Sequence, residues 1–173
     1  MYLDIETDLD PESLVWLIGV YTDGHEDVQY FFADTPGQEK AMLKSFLKFM
    51  ESRPGSTIFH YSTTNFDKRY LKIRLQRNGL PVPEQLVESV DVGIQLERSI
   101  AMPTASHGLT DVANYVGYDF TYPDMDGREV ARTYLNCIED ERPVPKKLFE
   151  YNQDDVLAVR QVAAWMEKTA EES

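Results

Sequence analysis

The sequence predicts an α/β fold in which a mixed, five-stranded sheet is flanked by helices. Three observations lead to this prediction. Strand-like segments come first in the 173-residue chain, strand-like and helix-like segments then alternate, and the remainder of the chain is helical. Strands that adjoin one another, followed by a strand–helix–strand alternation, indicate a mixed sheet with helices packed against it.

Five short segments have the apolar or alternating pattern of β-strands. The second and third are separated by Thr22-Asp23-Gly24-His25, which is typical of a hairpin turn. The predicted strands are residues 2–6, 14–21, 28–32, 57–60 and 88–92.

Five longer segments carry apolar residues at helical spacing. Pro54-Gly55 ends the first of them. In the second, the spacing places Ile73 on the inward side together with Phe66, Tyr70, Leu71 and Leu75. The predicted helices are residues 38–50, 66–77, 109–116, 127–135 and 145–167.

The composition is that of an ordinary globular chain, with 42% hydrophobic and 27% charged residues. Its length fits one domain, residues 1–173, and the start on a strand leaves open a stand-alone domain or one excised from a longer protein. No apolar run approaches the ~20 residues that span a bilayer, so no membrane partner is expected. The single cysteine, Cys137, and the lack of a signal segment make a reducing cytoplasm the expected location.

The net charge of −13 argues against a nucleic-acid partner, since phosphate binding normally requires a basic surface. Two considerations weaken this objection. Carboxylates that bind divalent cations belong to a site whose charge the metal offsets. Local charge also matters more than total charge, and residues 68–77 contain five lysines and arginines.

The first acidic feature is Asp4-Ile5-Glu6 on the first predicted strand. Residues two apart on a strand point to the same face, so Asp4 and Glu6 present two carboxylates side by side. On a central strand such a pair is costly unless a cation neutralises it. The alternative is an edge strand with a solvated acidic face.

Two further acidic positions lie on predicted helices. Asp67 opens the helix after the fourth strand, where an acidic residue is also favoured by the helix dipole alone. In the last helix, Tyr151 and Asp155 are four residues apart and therefore share a face. On geometry alone Asp154 is an equal alternative to Asp155, and both acids are also compatible with a solvated helix face.

The order of these motifs resembles that of the DEDD 3′–5′ exonucleases of the RNase H-like superfamily. The motifs are Asp-x-Glu on a first strand, an Asp after the fourth strand and Tyr-x-x-x-Asp on a late helix. The chain is most similar to the predicted RNase H-like exonuclease domain of bacteria and archaea, which occurs alone or beside other nuclease or helicase modules. The segments that carry this resemblance are residues 2–7, 106–113, 115–117 and 151–156.

The resemblance implies an RNase H-like fold and a site for metal ions. It assigns metal binding to Asp4, Glu6, Asp67 and Asp155, and it assigns Tyr151 to orienting or deprotonating the attacking water. A second branch of the family has a histidine five residues before the final aspartate, where this chain has Glu150. The chain therefore resembles the tyrosine branch.

Carboxylate ligands favour Mg²⁺ or Mn²⁺ over zinc. Two such ions roughly 4 Å apart can hold a phosphodiester between them. The expected activity is thus hydrolysis at 3′ ends of single-stranded or frayed nucleic acid. The alternatives are a catalytically silent module that binds nucleic acid or protein, and an endonuclease or RNase H. Candidate phosphate-binding residues are Lys68, Arg69 and Lys72, to which Arg128, Arg132, Lys146 and Lys147 could add.

Overall fold

A computed structural model describes residues 1–8 and 14–172 of the protein. Its sheet has five strands in the order β3-β2-β1-β4-β5. Strands β1, β2 and β3 pair antiparallel, whereas β1, β4 and β5 pair parallel, so the predicted mixed sheet is confirmed. The strands are β1 (Tyr2–Thr7), β2 (Val15–Tyr21), β3 (Gln29–Phe32), β4 (Phe59–His60) and β5 (Val90–Asp91).

Seven α-helices occur in the described part of the chain. Five correspond to the predicted helices, whereas α3 and α4 were not predicted. The helices are α1 (Glu39–Glu51), α2 (Phe66–Arg77), α3 (Glu84–Val87), α4 (Val92–Ser99), α5 (Leu109–Tyr115), α6 (Gly127–Glu139) and α7 (Lys146–Glu171). A 3-10 turn at Pro36–Gln38 precedes α1.

The side chains of β1 alternate between two separate cores. Leu3 and Ile5 are buried with residues of α1 and α2 on one face of the sheet. Tyr2 is buried on the other face with Val156 and Val159 of α7. Burying a leucine- or isoleucine-sized side chain contributes about 1.5–3 kcal/mol, so these contacts fix β1 between the two layers. Asp4 and Glu6 consequently point to the α7 side, as the two-residue period requires.

The fifth strand is shorter than predicted, because a helix begins inside the predicted range. Only Val90–Asp91 pairs with β4, and Val92 already starts α4. The Asp91 side chain accepts a hydrogen bond from the Ile94 amide and thereby caps α4. Other predictions were also wrong in detail. The fourth strand is Phe59–His60 rather than residues 57–60. Ile73 is 38% exposed rather than inward, and α6 continues past residue 135 to Glu139.

The hairpin between β2 and β3 has the turn that its sequence predicts. The His25 amide donates to the Thr22 carbonyl at 3.0 Å, and Gly24 has φ of +86°. A positive φ is readily adopted by glycine, which explains why the turn is placed there. None of the helices in the described part of the chain is both long and apolar enough to cross a bilayer.

Candidate active site

Asp4 and Glu6 lie on the strand at the centre of the sheet. β1 is flanked by β2 and β4, so the alternative of an edge strand with a solvated acidic face is wrong. Glu6 is buried and Asp4 is half-buried. The sequence therefore places two carboxylates inside the molecule, where they carry a desolvation cost.

Helix α7 brings a third carboxylate to this pair. Asp155 faces β1, and ligand-capable oxygens of Asp4, Glu6 and Asp155 all lie within 4.8 Å of one another. Tyr151, one turn earlier on the same face, donates a hydrogen bond to Asp155 and lines the same cleft. Asp155 is 149 positions from Glu6 in the sequence. It meets the two acids of β1 because α7 packs directly on β1 and β2.

Asp154 lies on another side of α7 and is hydrogen-bonded to the loop between α5 and α6. Its carboxylate accepts from the Thr121 amide at 2.7 Å, from the Tyr118 hydroxyl at 3.1 Å and from the Thr121 hydroxyl at 3.3 Å. These bonds tie the loop before α6 to α7. Of the two neighbouring acids, Asp155 is therefore the one that the structure brings to Asp4 and Glu6.

Asp67 lines the same cleft from the first turn of α2 and is buried. Its Oδ2 lies 3.2 Å from Nδ1 of His60, which is itself fully buried at the end of β4. Asp67 is outside the tight group of three carboxylates. The contact with His60 was not anticipated from the sequence, because strand and helix positions alone do not show which side chains meet.

Burial raises the pKa of every one of these four acids. The pKa values of Asp4 and Glu6 are both well above their ordinary values. The largest cause for each residue is burial, and the next is the charge of Asp155. Burial raises the pKa of Asp155 to about 7 and also raises that of Asp67. Burial, followed by the charge of Asp155, raises the pKa of Tyr151. The ionised forms of all five groups are thus disfavoured in the absence of a counter-charge.

The donor set fits a hard divalent cation. Carboxylate oxygens are the ligands that Mg²⁺ and Mn²⁺ prefer, and the group of three contains no cysteine or histidine. Among the described residues, Glu6 Oε1 is buried with no hydrogen-bond partner, which is costly for a carboxylate oxygen. A cation bound between the carboxylates would satisfy this atom and offset the mutual repulsion.

Loop 61–65 forms one wall of the cleft and is held by Asp91. The Asp91 carboxylate accepts hydrogen bonds from the amides of Ser62, Thr63 and Asn65 and from the Ser62 hydroxyl. Thr63 and Asn65 have φ of +56° and +55°. A positive φ at a β-branched residue such as threonine costs on the order of 1–3 kcal/mol, so the Asp91 bonds stabilise a backbone that would otherwise relax.

The opposite wall is the beginning of α6, where Gly127, Arg128 and Ala131 line the cleft. Within the described chain, Arg128 is the basic side chain that lines it. The cavity has a volume of about 420 Å³, which is near the low end for sites that take a small ligand.

The three basic residues predicted to bind phosphates lie elsewhere on α2. The Lys68 ammonium donates to the Ser89 carbonyl at 3.3 Å, Arg69 lies over the Tyr70 ring, and Lys72 is exposed. In the part of the chain that the structure describes, these three are not among the residues that line the cleft. Their role in binding phosphates stays a prediction.

A buried side chain that was not singled out in the sequence also reaches the carboxylates. The Asn152 amide nitrogen donates to Asp4 Oδ2 at 2.7 Å. Asn152 follows Tyr151 directly, and in a helix this neighbour points about a quarter-turn away. Its partner is on a strand 148 residues earlier. The contact between Asn152 and Asp4 could therefore not be predicted from the sequence around either residue.

A five-stranded mixed sheet with acidic side chains at its centre and a late helix across it defines the class of RNase H-like nucleases. A family model described as the RNase H superfamily matches residues 1–167. This chain belongs to the RNase H superfamily. The coarse prediction of an RNase H-like fold is thereby confirmed, and the family supports nuclease activity on nucleic acid.

Among solved structures, the chain is similar to the family B DNA polymerase from the hyperthermophilic archaeon Pyrobaculum calidifontis. The TM-score is 0.74 and the sequence identity is 20%. The similarity covers 95% of this chain and 24% of the polymerase, so the chain spans about a quarter of that protein's length. At this identity the likeness shows the fold. A search of curated proteins finds no match.

Proposed function

We propose that this chain is a divalent-metal-dependent exonuclease that removes nucleotides from the 3′ end of single-stranded or frayed nucleic acid. The observation that carries the proposal is the meeting of Asp4, Glu6 and Asp155, whose oxygens lie within 4.8 Å of one another in a cleft that also contains Tyr151. The order of these residues along the chain supports the exonuclease assignment through its resemblance to the DEDD tyrosine branch.

Asp4, Glu6, Asp67 and Asp155 would hold the metal, which is Mg²⁺ or Mn²⁺ in this proposal. Ions bound there would lower the pKa of an attacking water and stabilise the departing 3′ oxygen. Asp4 is central to this set, because the charges of Glu6, Asp67 and Asp155 all act on it. Asp67 completes the set from α2, where the buried His60 ring contacts its carboxylate.

Tyr151 orients the attacking water rather than deprotonating it. Its pKa is raised above the ordinary value by burial and by the charge of Asp155, so the hydroxyl stays protonated at neutral pH. A protonated hydroxyl forms a hydrogen bond with the water but cannot accept its proton. The raised pKa of Tyr151 thus favours the first of the two roles that the family resemblance implies.

Arg128 is the proposed contact for the substrate backbone. It lines the cleft at the beginning of α6, where the helix dipole also favours an anion. The acidic total charge of −13 weakens long-range attraction to nucleic acid, so local cations matter more here than in a basic protein. One protein of similar structure is a DNA polymerase, which supports DNA as the first substrate to test.

The test is digestion of a single-stranded DNA oligonucleotide that carries a 5′ label, with Mg²⁺ or Mn²⁺ and with a chelator as control. The expected result is a ladder that shortens one nucleotide at a time from the 3′ end. Asp4→Asn should remove the activity, and a phosphorothioate at the last linkage should slow it. The same oligonucleotide as RNA determines the sugar preference.

Each of the other outcomes identifies a different function. Internal cuts would indicate an endonuclease on the same fold. Binding without degradation, in both metals, would indicate a catalytically silent module. Activity that is unchanged in Asp4→Asn would show that the cleft is not the active site.

Tyr151→Phe is expected to lower kcat by about 10- to 100-fold with little change in KM or in metal binding. The hydroxyl acts on the reacting water, so its loss affects the transition state more than substrate binding. Tyr122→Phe is the matched control, because its hydroxyl also contacts an acid of α7, Glu150 at 2.6 Å. Equal rates for Tyr151→Phe and the wild type would remove Tyr151 from the reaction.

Arg128→Ala is expected to raise KM for the oligonucleotide about tenfold and to make KM less dependent on salt. Each lost phosphate contact reduces the salt slope for a single strand by about 0.7. Arg142→Ala is the control, since Arg142 is exposed just after α6 and pairs with Asp140. An unchanged salt slope would show that Arg128 does not contact a phosphate.

A further inference from the structure

The side chain of Asn152 is fully buried directly beneath the carboxylate cluster. Its amide nitrogen donates to Asp4 Oδ2 at 2.7 Å. The side-chain amide of Asn152 on α7 therefore holds a carboxylate oxygen of β1.

The space that Asn152 occupies exists because residue 19 is a glycine. Gly19 lies on β2 directly opposite Asp4. A Cβ at position 19 would lie 2.0 Å from Asn152 Oδ1 and 3.1 Å from Val156 Cγ2. Any larger side chain would have to displace Asn152. Glycine is thus required at this position for close approach rather than for an unusual backbone conformation.

Packing alone does not explain an asparagine at position 152. Among the described residues, Asn152 Oδ1 is buried without a hydrogen-bond partner, which disfavours the folded state. An apolar side chain with the same branching, such as leucine, would avoid that cost. The donor nitrogen is therefore the part of the side chain that the site needs.

A neutral donor is suited to this position. A lysine or arginine beside Asp4 would neutralise its carboxylate and would compete with a metal ion for it. The amide holds Asp4 Oδ2 by a hydrogen bond and leaves the negative charge of the carboxylate available. This is how groups outside a metal's ligand set orient the ligands themselves.

We propose that Asn152, which occupies the space left by Gly19, is a positioning residue that holds Asp4 in its metal-binding orientation. This inference rests on the proposed function, because it takes Asp4 as a metal ligand. It adds two residues to the site, Gly19 on β2 and Asn152 on α7. Neither would bind the metal itself, and both would affect metal binding by fixing the position of Asp4.

The test is Mn²⁺ binding by calorimetry and by electron paramagnetic resonance, without substrate. Asn152→Leu and Gly19→Ala are each expected to weaken Mn²⁺ binding about 10- to 100-fold. The matched controls are Asn136→Leu, at an exposed position of α6, and Gly37→Ala, whose nearest neighbouring atom would be 4.0 Å from the new Cβ. Both controls should bind Mn²⁺ as the wild type does.

Asp4→Asn separates failure of this inference from failure of the proposed function. If Asp4→Asn weakens Mn²⁺ binding but Asn152→Leu does not, the positioning role is overturned and the metal site stands. If the wild type and Asp4→Asn bind Mn²⁺ equally weakly, the metal site itself is wrong. In the cleavage reaction, saturating Mn²⁺ should restore much of kcat to Asn152→Leu, which a general loss of structure would not allow.

A double variant covers the case in which Gly19→Ala does not fold. Replacing both Gly19 and Asn152 by alanine removes the side chain that the new Cβ would strike. The double variant should fold and should bind Mn²⁺ as weakly as Asn152→Ala alone. Mn²⁺ affinity equal to that of the wild type in either protein would overturn the inference.

Discussion

Asp155→Asn is expected to lower metal-dependent cleavage by about a thousandfold or more, whereas Asp154→Asn is expected to leave most of the activity. The two acids are adjacent in sequence but face different parts of the molecule. Asp155 meets Asp4 and Glu6, while Asp154 accepts hydrogen bonds from Tyr118 and Thr121. Removing a group that stabilises charge in a transition state commonly costs a factor of about 10² to 10³, and a lost metal adds to that.

The matched pair also separates activity from stability. Asparagine at position 154 keeps an acceptor oxygen for the Thr121 amide but loses charge, so it should cost about 1–3 kcal/mol of unfolding free energy. Asparagine at position 155 removes a repelling charge and should leave the metal-free protein as stable as the wild type, or more so. The measurements are kcat/KM on the labelled oligonucleotide and urea unfolding in a chelator. The reverse pattern, with activity lost only in Asp154→Asn, would refute the assignment of Asp155.

The central strand could be predicted from sequence because its information is local. Asp4 and Glu6 alternate with Leu3 and Ile5, and a two-residue period is enough to assign the faces of a strand. The spacing of Tyr151 and Asp155 is local in the same sense, since residues four apart in a helix share a face. Both predictions needed no knowledge of which elements pack together.

The remaining features depend on contacts between distant parts of the chain. Nothing local to residues 88–92 reveals that Asp91 holds the loop that begins at Tyr61. The choice between Asp154 and Asp155 likewise required the packing of α7 on β1. The contact between Asn152 and Asp4 depends on a glycine of a third element. These are consequences of tertiary packing, which a pattern within one segment does not contain.

The prediction that the basic residues of α2 bind phosphates rests on local sequence alone. Lys68 and Lys72 form a cluster in sequence next to Asp67, but a helix distributes its side chains over all faces. Asp67 lines the cleft while the Lys68 ammonium contacts the Ser89 carbonyl. Arg128, which does line the cleft, is 61 positions from Asp67 and has no local signal that separates it from other exposed arginines.

The metal-free protein is expected to lose about 2 kcal/mol or more of stability between pH 5.5 and pH 8. Burial raises the folded-state pKa of Asp155 from its ordinary value to about 7, and it raises those of Asp4 and Glu6. A carboxyl group whose pKa is higher in the folded state than in the unfolded state favours folding when it is protonated. This contribution is complete below the unfolded-state pKa near 4, and it is lost as the pH rises through the folded-state pKa. Asp155 alone accounts for about 2 kcal/mol over this window.

Acids whose pKa is lowered in the folded state do not mask this loss of stability between pH 5.5 and pH 8. Hydrogen bonds lower the pKa of Glu39, which pairs with Arg74 and Asn78, and lower that of Asp91. Their contribution is lost only as the pH falls through their lowered pKa values, so it is constant above pH 5.5. The check is urea unfolding in a chelator at several pH values, with Asp155→Asn as the control that should lose about 2 kcal/mol of the pH dependence.

Addition of Mn²⁺ at pH 8 is expected to restore the lost stability in the wild type but not in Asp155→Asn. A ligand that binds the folded state alone stabilises it by an amount that grows with the logarithm of its concentration over the dissociation constant. At pH 8 the carboxylates are ionised and available to the metal, so binding and deprotonation favour each other. A wild-type profile that does not change with pH, or that Mn²⁺ does not raise, would mean that these buried acids are stabilised by something other than protons or metal. The acidic cluster is therefore the part of the molecule whose stability and proposed activity depend on the same cation.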